Sequence, residues 1–302
     1  MTRRILLVGH STRVDMQRLV DVVSGMLADA GIQAVVSENE FARHKGTSSL
    51  KAVDPDHPAR DSELVLVLGG DGTILRGAEA ARAADIPLLG INYGHIGFLA
   101  EAEPDDLMAT VERIVNRDYY VEDRMTLDVE AYSGDDLLSS TWALNEMTVE
   151  KVSRERMIQT VIEIDGRPLS TWGCDGVIVA TPTGSTAYAF SAGGPVLWPD
   201  AFSLLIVPIS AHALFARPLV VSPDSVVAVE MSRDAMGRAV MWCDGSRSVD
   251  LPKDGRVVVR RGTRPVRLAK LHKEPFTDRI VEKFELPVRG WRGSAIPTTP
   301  RQ

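Results

Sequence analysis

The stretch VLVLGGDGTIL, residues 65–75, decides the reading of the fold. Its first four residues, VLVL, form an apolar run suited to a strand buried on both faces. The glycines that follow let the backbone turn sharply and come close to another group. Apolar residues at helical spacing then run over 73–84. Strand, glycine turn and helix make one step of a parallel α/β sheet, whose ligands bind beyond the carboxyl ends of the strands. Asp71 sits between Gly70 and Gly72 and has two readings. In one it caps the helix over 73–84, common work for an aspartate. In the other it is the carboxylate of a phosphate-handling loop in which Gly69, Gly70, Gly72 and Thr73 present backbone N–H groups to an anion. The spacing is neither Walker A, since Gly-Lys-Ser/Thr is absent, nor GxGxxG. Arg76, one turn on, is either a solvated surface arginine or a group within reach of a phosphate.

The same rhythm extends on both sides of the loop. RILLVGH (4–10) reads as a buried strand, and residues 14–31 carry apolar groups at helical spacing up to Gly31. IQAVVSE (32–38) is a second strand. Residues 39–61, with Gly46, Pro55 and Pro58, read as an irregular excursion, of a length uncommon in loops unless they are mobile or functional. ELVLVL (63–68) and PLLGIN (87–92) are further strands, and 104–116 is helical. From about residue 120 the texture changes to short β-like runs separated by turns, among them Asp165-Gly166 and Asp244-Gly245. FTDRIVEKFEL (276–286) is helical again. The expected architecture is an α/β domain with a parallel sheet over 1–119 and a β-rich domain over 120–272. A segment at 273–291 returns its helix to the first domain, and a disordered tail covers 292–302.

Composition sets outer limits. Of 302 residues, 44% are hydrophobic and 25% charged, enough for sizeable cores in two domains. A net charge of −7 argues against broad nucleic-acid binding, which needs basic surface, but leaves room for a local anion site. Two cysteines, Cys174 and Cys243, lack the spacing of a disulfide framework or zinc site and fit a reducing compartment. The N-terminal apolar run is too short for a signal sequence, and no run approaches a membrane span. The chain is expected in the cytoplasm, away from membranes.

Two further stretches carry chemistry. In LNE (144–146), Asn145 and Glu146 interrupt a β-like run; an amide and a carboxylate can hold the hydroxyls of a ribose, while the plain reading is a strand with an exposed face. CDGVIVATPTGSTAYAFSAGGP (174–195) ends a strand in a loop dense in small polar residues. Its hydroxyls and free N–H groups suit a polar ligand, and Tyr188 can stack on a flat ring. CDG occurs twice, at 174–176 and 243–245. His212 is given no catalytic role, and no histidines stand at metal-ligand spacing. A metal would arrive with phosphates, as magnesium does.

Taken together and in order, GGDGT (69–73), Asn145-Glu146 and TPTGSTAYAFSAGGP (181–195) resemble the NAD kinase family. The resemblance spans roughly residues 3–292. It includes GINYGHIGFLAE (90–101) and PFTDRIVEKFELPVRGW (275–291), which look like the bacterial branch. GGDGT alone is shared with diacylglycerol and sphingosine kinases, and 181–195 makes the assignment specific. The resemblance implies transfer of a phosphoryl group from ATP or inorganic polyphosphate to the adenosine 2′-hydroxyl of NAD, giving NADP. It also implies a divalent cation, magnesium or manganese, and a homodimer or homotetramer.

By the same resemblance, Asp71 is the general base and contacts NAD together with Gly72 and Arg76. Asn145, Glu146, Arg156 and Asp175 are NAD-binding, as are Thr183, Thr186, Ala187, Tyr188, Ala189, Phe190 and Ser191. No side chain is assigned to a metal. The sequence departs from the family at WGCDG, where Gly173 stands in place of an arginine, and at VPISAH (207–212). Two alternatives remain at this stage. One is a lipid or sphingoid-base kinase sharing the GGDGT loop. The other is a sensor that binds NAD or NADP without turnover.

Overall fold

The computed structural model describes residues 2–9, 14–44, 47–92, 97–100, 107–154, 156–232 and 237–288. The chain divides into two compact units, Met1–Glu122 with Arg267–Gln302, and Asp123–Val266. The return to the first unit thus begins before the expected residue 273. The expected tail, 292–302, lies outside the described residues.

The first unit runs β1 (Arg4–Gly9), α1 (Val14–Asp29), β2 (Gln33–Ser37), α2 (Glu38–Phe41), β3 (Leu50–Val53), β4 (Leu64–Leu68), α3 (Asp71–Ala84), β5 (Leu88–Ile91), α4 (Leu107–Val115) and β6 (Tyr120–Arg124). One correction concerns residues 39–61. They hold α2 and an edge strand, β3, which pairs in parallel with β2 from Ala34↔Leu50 to Ser37↔Val53. The strand is short and half exposed, so it lacks the apolar run that marks its neighbours.

Strand alternation explains how helices cover this sheet. Leu64, Leu66 and Leu68 of β4 join Ile5 and Leu7 in a core with Val20, Val23 and Leu27 of α1 and Val111 and Ile114 of α4. Val65 and Val67 point the other way, toward α3. There α3 lies so close that a Cβ on Gly77 would meet Val67 Cγ2 at 2.4 Å. The strand order is β3-β2-β1-β4-β5, so the winding reverses between β1 and β4. Such a switch point opens a crevice at the carboxyl ends of the strands, here at Gly9 and Gly69.

The second unit runs β7 (Leu127–Ser133), β8 (Asp136–Ala143), β9 (Glu146–Lys151), β10 (Ile158–Ile164), β11 (Arg167–Cys174), β12 (Gly176–Ala180), a 3₁₀ turn at Thr183–Thr186, α5 (Tyr188–Ser191), β13 (Leu204–Ile209), β14 (Leu219–Val221), β15 (Val227–Met231), β16 (Ala239–Cys243), β17 (Arg247–Leu251) and β18 (Gly255–Arg261). The strands form two antiparallel sheets, β11-β10-β15-β18-β7-β8 and β14-β13-β12-β9-β16-β17. Leu127, Val129, Ile162 and Val257 of one sheet share a single core with Met147, Val149, Val177, Ile206 and Met241 of the other. The unit is therefore a sandwich. Its turns follow their sequences: Asp165 and Gly166 both take positive φ (53° and 73°), as do Asp244 and Gly245 (50° and 64°).

The chain then enters β19 (Val266–Lys270), which pairs in parallel with β5 and extends the first unit's sheet. It ends in α6 (Phe276–Lys283), whose Phe276 ring lies 6.1 Å from that of Phe98. The expected return of the C-terminal helix to the first unit is met. The GINYGHIGFLAE motif is described only at residues 90–92 and 97–100.

Candidate functional site

In the first unit the candidate groups gather at the turn between β4 and α3. Gly69 takes φ 154°, and a Cβ there would meet Thr73 Oγ1 at 2.7 Å, so this position needs glycine. Gly70 and Gly72 are different. Among the described residues, a Cβ on Gly70 would meet nothing closer than Asn92 Oδ1 at 3.7 Å, and one on Gly72 would meet nothing within 4 Å, so these residues do not crowd either position.

The capping reading of Asp71 does not survive. The N-cap of α3 is Gly70, which makes no side-chain cap bond, and the helix starts at Asp71 rather than 73. The Asp71 carboxylate instead accepts hydrogen bonds from the backbone N–H groups of Phe98 (3.2 Å) and Leu99 (3.3 Å). Arg76 is exposed along its stem, yet its guanidinium donates to the Gly9 carbonyl at 2.8 Å. The side chain therefore spans the switch point. Glu40 approaches the same residue, accepting the Gly9 N–H at 2.8 Å. Burial raises the Glu40 pKa above the usual carboxylate range, against that bond and the charge of Arg76. A cavity of about 850 Å³ opens beside these groups, lined in part by Glu40, Arg43, His57, Arg60 and Arg76.

In the second unit the candidate residues sit where the chain passes from one sheet to the other. TWALNEMTVE is not one strand. It breaks at Leu144-Asn145, between β8 of one sheet and β9 of the other. Asp175 marks a second such corner, between β11 and β12. At corners the backbone leaves its ladder, so its polar groups need other partners. Asp244 supplies them at the first corner, accepting from the N–H groups of Leu144 (2.8 Å), Asn145 (2.8 Å) and Glu146 (3.3 Å). Arg247 pairs with Asp244 at 2.9 Å and lies 4.6 Å above the Trp142 ring. From the other side, Thr181 donates its hydroxyl to the Leu144 carbonyl at 2.6 Å and its N–H to the Asn145 carbonyl at 2.9 Å. Gly184 packs so tightly there that a Cβ would meet the Asn145 carbonyl oxygen at 2.0 Å.

Beyond the corner, strand alternation sends Met147 and Val149 into the core and leaves Glu146, Thr148 and Glu150 on the outer face. These three residues, with Tyr188 and Trp242, line a cavity of about 310 Å³. Glu146 is buried at 8% exposure, and its pKa is raised to about 8. Burial is the first cause and the nearby Asp244 carboxylate the second, opposed by a hydrogen bond from the Tyr188 N–H. Below pH 8 Glu146 thus carries a proton and can donate a hydrogen bond. Burial raises the Tyr188 pKa too, helped by the charges of Glu150, Glu146 and Asp175, which places all four groups in one neighbourhood. Asp175 pairs with Lys151 at 2.5 Å.

Two buried oxygens of this unit, Glu146 Oε2 and Thr183 Oγ1, find no hydrogen-bond partner among the described residues. Such orphans cost stability unless a ligand or water meets them. The rest of the 181–191 segment divides by exposure. Ala189 is fully buried against Ile178, Ala180, Leu205 and Val207, so its side chain packs. Thr186 donates to the Thr183 carbonyl, while Tyr188, Phe190 and Ser191 are exposed. Arg156 stands exposed between β10 and β9. Gly173 forms a bridge with His212, and a Cβ there would make only ordinary contacts at 3.9 Å and beyond. Among the described residues, no three His, Cys, Asp or Glu side chains are grouped to hold a metal. No helix among them is long and apolar enough to cross a membrane. Asp244, Lys151, Thr148, Glu150 and Trp242 were not singled out from the sequence. The repeated CDG was the available signal for Asp244, since the first copy carries Asp175.

Residues 6–119 match the ATP-NAD kinase N-terminal domain, and residues 144–271 match the ATP-NAD kinase C-terminal domain. The chain is 55% identical to an NAD kinase of Leifsonia xyli over 295 residues, 96% of this chain and 97% of that one. It is 54% identical to an NAD kinase of Thermobifida fusca, covering 97% and 92% of the two chains. Among solved structures, yeast NADH kinase complexed with NADH superposes with a TM-score of 0.84 at 20% identity, covering 99% of this chain and 90% of that one. An NAD kinase from Archaeoglobus fulgidus in complex with ATP gives a TM-score of 0.71 at 26% identity, covering 95% and 100%.

Proposed function

The chain belongs to the NAD kinase family and is an enzyme that phosphorylates NAD, and from that premise we propose how its residues divide the work. The lipid-kinase and sensor alternatives gain no support. The observation that carries the proposal is the pair of orphaned buried oxygens, Glu146 Oε2 and Thr183 Oγ1, beside a tyrosine and a small cavity. They suit a ligand rich in hydroxyl and amide groups. Asn145, Glu146, Asp175 and the Thr183–Ser191 segment bind NAD, with Tyr188 placed to stack on a ring.

Asp71 is the general base. Phosphoryl transfer depends on positioning and charge stabilisation more than on covalent chemistry. Asp71 holds two N–H donors on its carboxylate and keeps further lone pairs to accept the proton of the attacking 2′-hydroxyl. The donor's phosphates lie against the amino end of α3, where the side-chain-free surface of Gly70 and Gly72 admits them. The donor is ATP or inorganic polyphosphate, whose terminal phosphoryl groups offer the same chemistry. Asp71 is the loop's own carboxylate and would help to hold a magnesium or manganese ion arriving with the nucleotide, which would supply charge neutralisation for the transferring group.

The enzyme works in the cytoplasm as a homodimer or homotetramer. Exposed apolar side chains at Phe202, Leu214 and Phe215 support self-association, and light scattering that reads a monomer would remove it. The deciding assay is NADP formation from NAD, ATP and magnesium. Asp71→Asn keeps the shape, removes the base and lowers turnover by about 10²–10⁴-fold with NAD binding largely retained. A folded variant turning over like the native enzyme would return Asp71 to a structural role.

A further inference from the structure

Asp71 does not choose its own orientation. Its carboxylate is held by the N–H groups of Phe98 and Leu99, and the turn that presents them is tight. A Cβ on Gly97 would meet Asp71 Oδ1 at 2.3 Å, so that residue's bareness lets the segment close over the carboxylate. The opposite side of the same segment is gripped from α6. Arg279 donates to the carbonyl oxygens of Phe98 and Ala100, and its side chain is only 12% exposed. The Phe98 ring lies 6.1 Å from that of Phe276 and 5.8 Å from that of Phe284, residues eight apart on one side of the α6 region. The ion pair of Arg279 with the exposed Glu274, at 3.5 Å, adds little.

We propose that Arg279 is a positioning residue for phosphoryl transfer, fixing the Asp71 carboxylate through the peptide groups of residues 98–100. The proposal rests on Asp71 as the base. Through the single peptide that joins Phe98 to Leu99 the arrangement runs cation, carbonyl, N–H, carboxylate, with the guanidinium at the negative end of that peptide's dipole and the carboxylate at its positive end; the Phe98 N–H and the Ala100 carbonyl belong to the neighbouring peptides and tie the same short segment on either side. Hydrogen bonds in such a chain polarise one another, so each end strengthens the grip on the other. General-base chemistry depends on holding the carboxylate in hydrogen-bonding reach of its proton. A segment freed on its carbonyl side lets the two N–H donors, and the carboxylate with them, drift. Misplacement on the scale of 1 Å costs up to about 100-fold in rate. The C-terminal helix thereby contributes, without touching substrate, to chemistry at Asp71, 208 residues earlier in the chain.

The test is a double-mutant cycle in the full-length enzyme. Arg279→Met keeps the stem and removes both donors. It lowers kcat by about 10-fold or more, with a much smaller change in the KM for NAD, and Arg279→Lys recovers part of the loss. In the Asp71→Asn background the same Arg279→Met change lowers the residual kcat less than about 2-fold, because the group it positions is already disabled. Equal fold-losses in both backgrounds would mean a general structural effect and overturn the proposal. So would a folded Arg279→Met enzyme with native kcat. Should Arg279→Met not fold, Phe284→Leu loosens the Phe98 ring from the same helix and is carried through the same cycle with the same criteria. Native turnover in Asp71→Asn alone would instead strike at the base assignment, a different outcome from a failure of the Arg279 arm.

Discussion

Glu146→Gln separates the charge of the buried carboxyl from its shape. In the folded chain Glu146 keeps its proton up to about pH 8, chiefly because burial disfavours the charged form. In the unfolded chain it releases the proton near the ordinary value of 4.5. Between those two pH values the folded state binds more protons. Stability from this group is therefore full below pH 4.5, falls as pH rises, and reaches its floor above about pH 8. Each pKa unit corresponds to about 1.4 kcal/mol, so the whole fall approaches roughly 5 kcal/mol, and relaxation or water entry brings it to about 2–5 kcal/mol. The amide of Gln is neutral throughout. Denaturant midpoints of native enzyme and variant, without ligand, should agree near pH 5. They should diverge steadily up to about pH 8 and run parallel beyond it, the variant being the more stable. Parallel curves between pH 5 and about pH 8 would refute the reasoning, because they would mean that Glu146 ionises in the folded chain as it does in the unfolded one.

Asp244→Ala leaves the Leu144 and Asn145 N–H groups and the Arg247 guanidinium without their shared acceptor; a loss of about 3–5 kcal/mol is expected by chemical denaturation, with Asp244→Asn intermediate. Thr183→Val removes a hydroxyl that has no partner among the described residues, so stability should stay level or rise slightly while the KM for NAD increases about 10-fold; a large loss of stability would show that the hydroxyl serves the fold.

The parallel sheet was legible because VLVL and its neighbours are buried on both faces and read as uninterrupted apolar runs. β3 was not, since an edge strand with Lys51 exposed carries no such signal. β11 and β17 carry the same weak signal: both are sheet edges, and RPLSTWGC and RSVDL hold many exposed polar residues. The site residues themselves were legible through the family resemblance. What was hidden is their support. Asp244 lies 99 residues from Asn145 and Arg279 lies 181 from Phe98, and local patterns cannot report contacts made at that separation.

The hidden supports share a physical cause. A strand fixes its residues by a continuous ladder, but a ligand needs polar groups that the ladder has not consumed. Asn145-Glu146 and Asp175 therefore stand where the chain leaves one sheet for another, and Asp71 stands where a strand gives way to a helix. Leaving the ladder releases N–H and carbonyl groups that must be satisfied elsewhere. At the first corner a buried carboxylate, Asp244, takes three N–H groups, and Thr181 supplies donors for the carbonyls. At Asp71 the roles invert: the proposed base takes the N–H groups of a turn, and a part-buried arginine takes its carbonyls. In both places a long-range charged side chain substitutes for the missing strand neighbour. Replacing such a side chain should then disturb the ligand-facing residue more than the core behind it, which is the common content of the Asp244 and Arg279 experiments.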